Sequence, residues 1–221
     1  MKRETSPEHA LQDALVEAFA HLGGSVRLFP DARNLVRPRE EGDGVQPVAV
    51  PDSVQASHSF VIEVQGVPNL LHELGHAVLV GRLERDHGTD FAAIPFSLDS
   101  EEGRRLLFEE LSCCVLSCRW HPGDLEQAHE WFDEQVGIQS LFFGAERDPE
   151  AFLARIDQWI LSRDQDLDQT LRRAELELRR ALDATRAGPG RFRPRHPLDI
   201  CDWWARFRVP VDPSSPDLND G

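Results

Sequence analysis

Apolar residues recur at helical spacing over most of the chain. Near the N-terminus, Leu11, Leu15 and Phe19 form one stripe that begins after Ser6-Pro7 and ends at Gly23-Gly24. Serine is a favoured N-cap and proline a favoured first helical residue, so a helix is predicted here. The same spacing predicts a helix that starts near residue 68 and ends at about residue 83, and further helices over residues 101–120, 123–138, 149–162 and 164–187. Acidic and arginine residues alternate in the last of these, which predicts a solvated outer helix.

Short β-branched runs predict a small sheet in the first third of the chain. Strands are expected over residues 26–29, 48–50 and 60–64, and the charged segment 31–46 is expected to be a loop rich in turns. A small sheet followed by helices indicates an α+β fold. We expect a core over residues 1–145 and a helical C-terminal extension over 146–221 that packs on it. The aromatic and basic tail from residue 191 to 204 could dock a partner, but we expect it to pack across the helices.

Charge and composition exclude several classes of protein. The 221 residues include 24 basic and 39 acidic side chains, a formal net charge of −15, which argues against nucleic-acid and anionic-membrane partners. No apolar run approaches the ~20 residues that a membrane span needs. The charged N-terminus predicts a cytoplasmic protein. The four cysteines do not form a disulfide-framework pattern in such a protein, and we expect those near residue 114 to be buried core residues.

One motif carries most of the chemistry. His72-Glu73-Leu74-Gly75-His76 is a His-Glu-x-x-His sequence within an apolar helical stretch. Histidines at positions i and i+4 project from the same helix face, so both imidazoles can reach one metal ion. Glu73 would lie beside the metal, where it can take a proton from water and later deliver it. The sequence therefore predicts a metal site with Glu73 as its catalytic residue.

A third protein ligand is expected from an acidic residue on a following helix. Glu109 and Glu110 begin an otherwise apolar segment, 33 and 34 residues after His76. A carboxylate that faces the core requires a partner, and a metal ion is one. The helical wheel favours Glu110, because it lies nearer the apolar stripe.

The motif together with Glu109-x-x-Ser112 resembles the gluzincin pattern of zinc metallopeptidases. In that pattern a Glu-x-x-Ser/Ala-Asp segment supplies the third ligand, so the resemblance favours Glu109, which we take as the third ligand with Glu110 as the alternative. It also implies a zincin-like fold with a small twisted sheet over the motif helix. Cys113 stands where the pattern has an aspartate that steadies a ligand histidine.

A second resemblance extends from residue 15 to about residue 120. The order of an N-terminal helix, a strand, the motif helix, Gly81, Asp90-Phe91 and Phe108-Glu109 is similar to the elongation factor P hydroxylase family. That resemblance implies a metal held by two histidines and one glutamate, and hydroxylation of a modified lysine on a translation factor. Two histidines and a carboxylate also suit non-haem iron.

The combined interpretation is a zinc-dependent peptidase. Zn²⁺ would be held by His72, His76 and Glu109, and the substrate would be a peptide or protein. The alternatives are a protein hydroxylase that uses Fe²⁺ and a metal-stabilised interaction protein without turnover. His87, Asp90 and Cys113 are candidates for a supporting role around the ligands.

Overall fold

The computed structural model describes residues 7–30, 35–38, 60–80, 99–142 and 148–208. Most of these residues are helical, and a small sheet lies in the N-terminal part. In chain order the elements are α1 (Pro7–His21), β1 (Gly24–Leu28), β2 (Leu35–Pro38), β3 (Phe60–Val64), α2 (Val67–Val80), α3 (Glu101–Arg119), α4 (Leu125–Phe142), α5 (Pro149–Leu161), α6 (Gln165–Asp183) and α7 (Ile200–Arg208). None of the described helices is both long and apolar enough to cross a bilayer.

The sheet has three described strands in the order β1-β3-β2. The central strand β3 is parallel to β1 and antiparallel to β2. Its side chains are buried except at Glu63, which is half-buried and pairs with Arg27 of β1 at 3.4 Å. The prediction that residues 31–46 form only a loop is wrong, because β2 lies within this segment. Its turn-rich composition concealed the pairing with β3, which comes from a distant part of the chain.

The motif helix α2 follows β3 after Gln65 and Gly66. It begins at Val67, one residue before the start expected near Pro68. Ser100 begins α3 as its N-cap and accepts a hydrogen bond from the amide of Gly103. The two helices pack against each other. Helix α2 carries His72, Glu73 and His76, and α3 carries Glu109 and Glu110.

Helix α6 packs on both α2 and α3. Apolar residues of α6 at helical spacing enter the core, namely Leu167, Leu171, Ala174, Leu178 and Leu182. The prediction of a solvated outer helix is therefore wrong for this face, which packs against both α2 and α3. The arginines and acids that suggested it occupy the opposite face and pair along the helix.

The tail packs across the helices, as expected. The amides of Arg195 and His196 both donate to the carbonyl of Arg119 at the end of α3. The tail also contains α7, a helix that the sequence analysis missed. Its signal was present, because Asp199 and Asp202 cap each other's backbone amides as in a capping box. The expected strand at residues 48–50 lies outside the described residues.

Candidate metal centre

The two motif histidines stand one turn apart on α2 and converge. Nε2 of His72 and Nε2 of His76 are 3.1 Å apart, with the ring centroids 4.9 Å apart. His72 is buried and His76 is half-buried. The i, i+4 spacing therefore has the consequence expected from the sequence, since both imidazoles present the same ring nitrogen to one small volume.

Glu110 of α3 completes a group of three. Its Oε2 lies 3.4 Å from Nε2 of His72, and its Oε1 lies 3.4 Å from Nε2 of His76. Among the described residues, these three form the one group of histidine, cysteine and acidic side chains whose donor atoms all lie within 4.8 Å of one another. Glu110 is buried, and a buried carboxylate is costly unless it is paired or binds a metal.

The separations between these donor atoms fit a metal ion. Ligands about 2.0–2.1 Å from a tetrahedral zinc ion stand ~3.3 Å from each other, and adjacent ligands of an octahedral ion at that bond length stand ~3.0 Å apart. The two Nε2 atoms are 3.1 Å apart, and each lies 3.4 Å from one oxygen of the Glu110 carboxylate, Oε2 for His72 and Oε1 for His76, so the nearest separations are close to these values. Two imidazoles and one carboxylate also form a donor set that binds zinc or non-haem iron.

Glu109 occupies a different position from its neighbour. Its Oε1 lies 3.1 Å from Nδ1 of His76, the ring nitrogen that does not face His72. Its Oε2 lies 3.5 Å from the guanidinium of Arg105, one turn earlier on α3. The structure thus groups the alternative residue, Glu110, with the two histidines, and it places Glu109, our first choice, behind His76.

Burial and charge act together on the group. Burial raises the pKa of the Glu110 carboxyl, but the adjacent His76 and His72 more than offset this and hold the pKa well below its usual range. Desolvation lowers the pKa of His76, whereas Cys113, Glu110 and Glu109 raise it, and the net result is well above the usual value. The site therefore favours negative charge on Glu110 and positive charge beside it, which suits a cation.

Glu73 stands between the two histidines in sequence and is half-buried. Desolvation raises its pKa, His72 and His76 lower it, and Glu110 raises it, so that the pKa is above its usual value. Like charge from Glu110 and loss of water both disfavour the Glu73 carboxylate. A carboxyl group whose pKa is raised toward neutrality is suited to accept and return a proton.

The close approach of α2 and α3 depends on Gly75. A Cβ atom at this position would lie 2.9 Å from Sγ of Cys113 and 3.3 Å from its Cβ. Cys113 also hydrogen-bonds to His76, and burial raises the pKa of its thiol to about 11. Cys113 therefore stays a neutral thiol that packs between the two helices beside the ligands.

His87 and Asp90 lie outside the described residues. Cys114 and Cys118 are buried in the core, as expected. The sequence analysis missed Arg105, although its spacing of four residues from Glu109 is the usual signal of an ion pair on a helix. Nδ1 of His72 is buried and has no hydrogen-bond partner among the described residues.

Comparison of the chain with protein-family models, with curated proteins and with solved structures finds no match.

Proposed function

We propose that this protein is a metal-dependent hydrolase of the zinc-peptidase class. His72, His76 and Glu110 would hold Zn²⁺, and Glu73 would be the catalytic base. The observation that carries the proposal is the convergence of the two Nε2 atoms and the Glu110 carboxylate at separations of 3.1–3.4 Å. The substrate would be a peptide or protein, and nucleic acid is disfavoured by the net charge of −15.

A zincin-like arrangement is part of the proposal. The order β3, α2, α3 puts a small sheet directly before the motif helix and a crossing acidic helix after it. The metal-binding donors then come from two helices that are packed together, which suits a preorganised site.

The protein's own residues would perform the proton transfers. A bound metal supplies Lewis acidity, which lowers the pKa of coordinated water toward ~7. Glu73 would take the water proton and deliver it to the leaving amine, and its raised pKa supports both steps. The half-buried position of Glu73 limits competing solvent, and Glu110 keeps its negative charge next to the histidines.

The first experiment measures the metal content of the purified protein by inorganic mass spectrometry. About one zinc per chain is expected in the wild type, and the same content is expected in Glu73→Gln. Cleavage of a proteome-derived peptide library should fall in Glu73→Gln by ~10²–10⁴-fold, the usual worth of a general base. Glu134→Gln, an exposed glutamate on α4, is the control and should cleave like the wild type.

The same donor set favours one alternative, an iron-dependent protein hydroxylase. About one iron per chain, with oxygen consumption and no cleavage in the library, would establish that alternative and overturn the peptidase. Bound metal without turnover by either chemistry would indicate a metal-stabilised interaction protein. A protein that binds no metal would overturn all three, and the group would then be a hydrogen-bonded cluster of side chains.

A further inference from the structure

We propose that Glu109 is a positioning residue that holds the His76 imidazole with Nε2 turned toward the metal. This inference rests on the proposed metal site and assigns a role to a residue that the site itself leaves out. The role requires a hydrogen bond from Nδ1–H of His76 to Oε1 of Glu109, two atoms that lie 3.1 Å apart.

The two neighbouring carboxylates differ in which nitrogen atom of His76 they contact. Glu109 and Glu110 are consecutive on α3, so their side chains leave the helix about 100° apart. Glu110 meets Nε2 of His76 at 3.4 Å, whereas Glu109 meets Nδ1 at 3.1 Å. The two carboxylates thus contact opposite nitrogens of one ring. A proton fixed on Nδ1 leaves the Nε2 lone pair available as a ligand.

The two motif histidines differ in whether their Nδ1 atom has a carboxylate partner. Nδ1 of His72 is buried and has no hydrogen-bond partner among the described residues, whereas Nδ1 of His76 has the Glu109 carboxylate. Within the described part of the chain, a carboxylate therefore orients the second motif histidine alone. The orientation of His76 should accordingly change when residue 109 cannot accept this hydrogen bond.

Among the described residues, Glu109 also contacts Arg105, and this contact is weaker than the one with His76. Arg105 is 63% exposed and its guanidinium lies 3.5 Å from Oε2 of Glu109. Solvent screens such a pair, and its contribution is small. The side chains of Glu109 and His76 are each only 14% exposed, so their shorter contact is the one that matters for the site.

The test compares Glu109→Leu with Glu109→Gln. The dissociation constant for Zn²⁺ is measured by competition with a chromophoric chelator, and the visible spectrum of bound Co²⁺ reports the geometry at the metal. Glu109→Leu should bind one metal ion with ~10–100-fold weaker affinity and an altered Co²⁺ spectrum, the usual loss for such a partner. Glu109→Gln should recover most of the affinity, because its amide oxygen still accepts from Nδ1–H.

A matched control separates positioning from a general structural effect. Glu134→Leu makes the same change at an exposed site on α4 and should leave the affinity and the spectrum unchanged. The unfolding midpoint of each leucine variant is also measured in the absence of metal. Apoprotein midpoints close to the wild type, combined with weak binding in Glu109→Leu alone, are the expected result.

Three results would contradict this inference. Unchanged Zn²⁺ affinity and an unchanged Co²⁺ spectrum in Glu109→Leu would show that His76 needs no such partner. Complete loss of binding in both Glu109 variants, with binding retained in Glu110→Gln, would make Glu109 a ligand instead. Failure of the wild type to bind either metal would overturn the proposed function, and this inference with it, which distinguishes the two failures.

Discussion

Gly75 sets the distance between the two helices that carry the candidate site. The glycine hydrogen faces Cys113, where any larger side chain would press on Sγ and Cβ at 2.9 and 3.3 Å. Both residues are buried, so the neighbouring atoms have little room to move. A shift of α3 away from α2 would also separate Glu110 from the histidine nitrogens.

We expect Gly75→Ala to destabilise the protein and weaken metal binding. Alanine gains about 1 kcal/mol of helix propensity, but overpacking costs about 1–3 kcal/mol. Gly137 on α4 is the matched control, since a Cβ there meets nothing within 4 Å. Gly137→Ala should stabilise by about 0.5–1 kcal/mol in urea unfolding. The idea fails if the two variants shift the unfolding midpoint in the same direction and bind Zn²⁺ equally.

At the scale of elements, α6 supports the end of the motif helix. Arg173 of α6 donates a hydrogen bond from its guanidinium to the carbonyl of Leu79 at 2.6 Å. Leu79 belongs to the last turn of α2, where carbonyl groups lack partners within the helix and the helix dipole is negative. The Arg173 guanidinium donates to one of these carbonyl groups, and its positive charge interacts favourably with the negative end of the helix dipole.

Arg173→Met should therefore destabilise the protein by about 1–2 kcal/mol, because a half-buried carbonyl loses a charged donor while the apolar stem is kept. Arg172→Met, at the preceding residue, is the control. Arg172 is 82% exposed and pairs with Asp168 at 3.5 Å, so its loss should cost less than about 0.5 kcal/mol. Chemical denaturation of both variants measures the difference, and equal losses would refute the assignment.

Helices were predicted more accurately than strands, and the reason is the range of the interactions. The apolar spacing of α1, α3 and α5 and their capping residues are local signals, and the structure has these helices close to the predicted bounds. Strand β2 was missed because its partner β3 lies more than twenty residues later in the chain. The burial of one face of α6 was missed because its acids and arginines outnumber the leucines.

For the whole molecule, the proposed site would couple metal binding to the stability of the fold. Glu110 and His72 are buried between α2 and α3, and without a metal ion the Glu110 carboxylate lies against the imidazoles of His72 and His76. A ligand that binds the folded state alone raises its stability by mass action.

Saturating Zn²⁺ should accordingly raise the thermal midpoint of the chelator-treated protein, and a concentration of 100 times the dissociation constant corresponds to about 2.7 kcal/mol. Glu110→Leu should lose this response, and its metal-free form should be less stable than the wild-type apoprotein, because His72 and His76 lose the carboxylate with which they pair. Glu134→Leu should keep the full response. A wild-type thermal midpoint that changes neither with Zn²⁺ nor with chelator would contradict the coupling of metal binding to stability.

The sequence by itself determined the motif helix and the position of His72 and His76 on one face of it, because these depend on spacing along a single helix, and it identified the acidic segment of a later helix as the source of the third carboxylate. Only the tertiary structure decided which acid meets the two Nε2 atoms. Glu109 and Glu110 are separated by about 100° on the same turn. The packing of α3 against α2, in which Gly75 leaves room for Cys113, places Glu110 in the group and Glu109 behind His76.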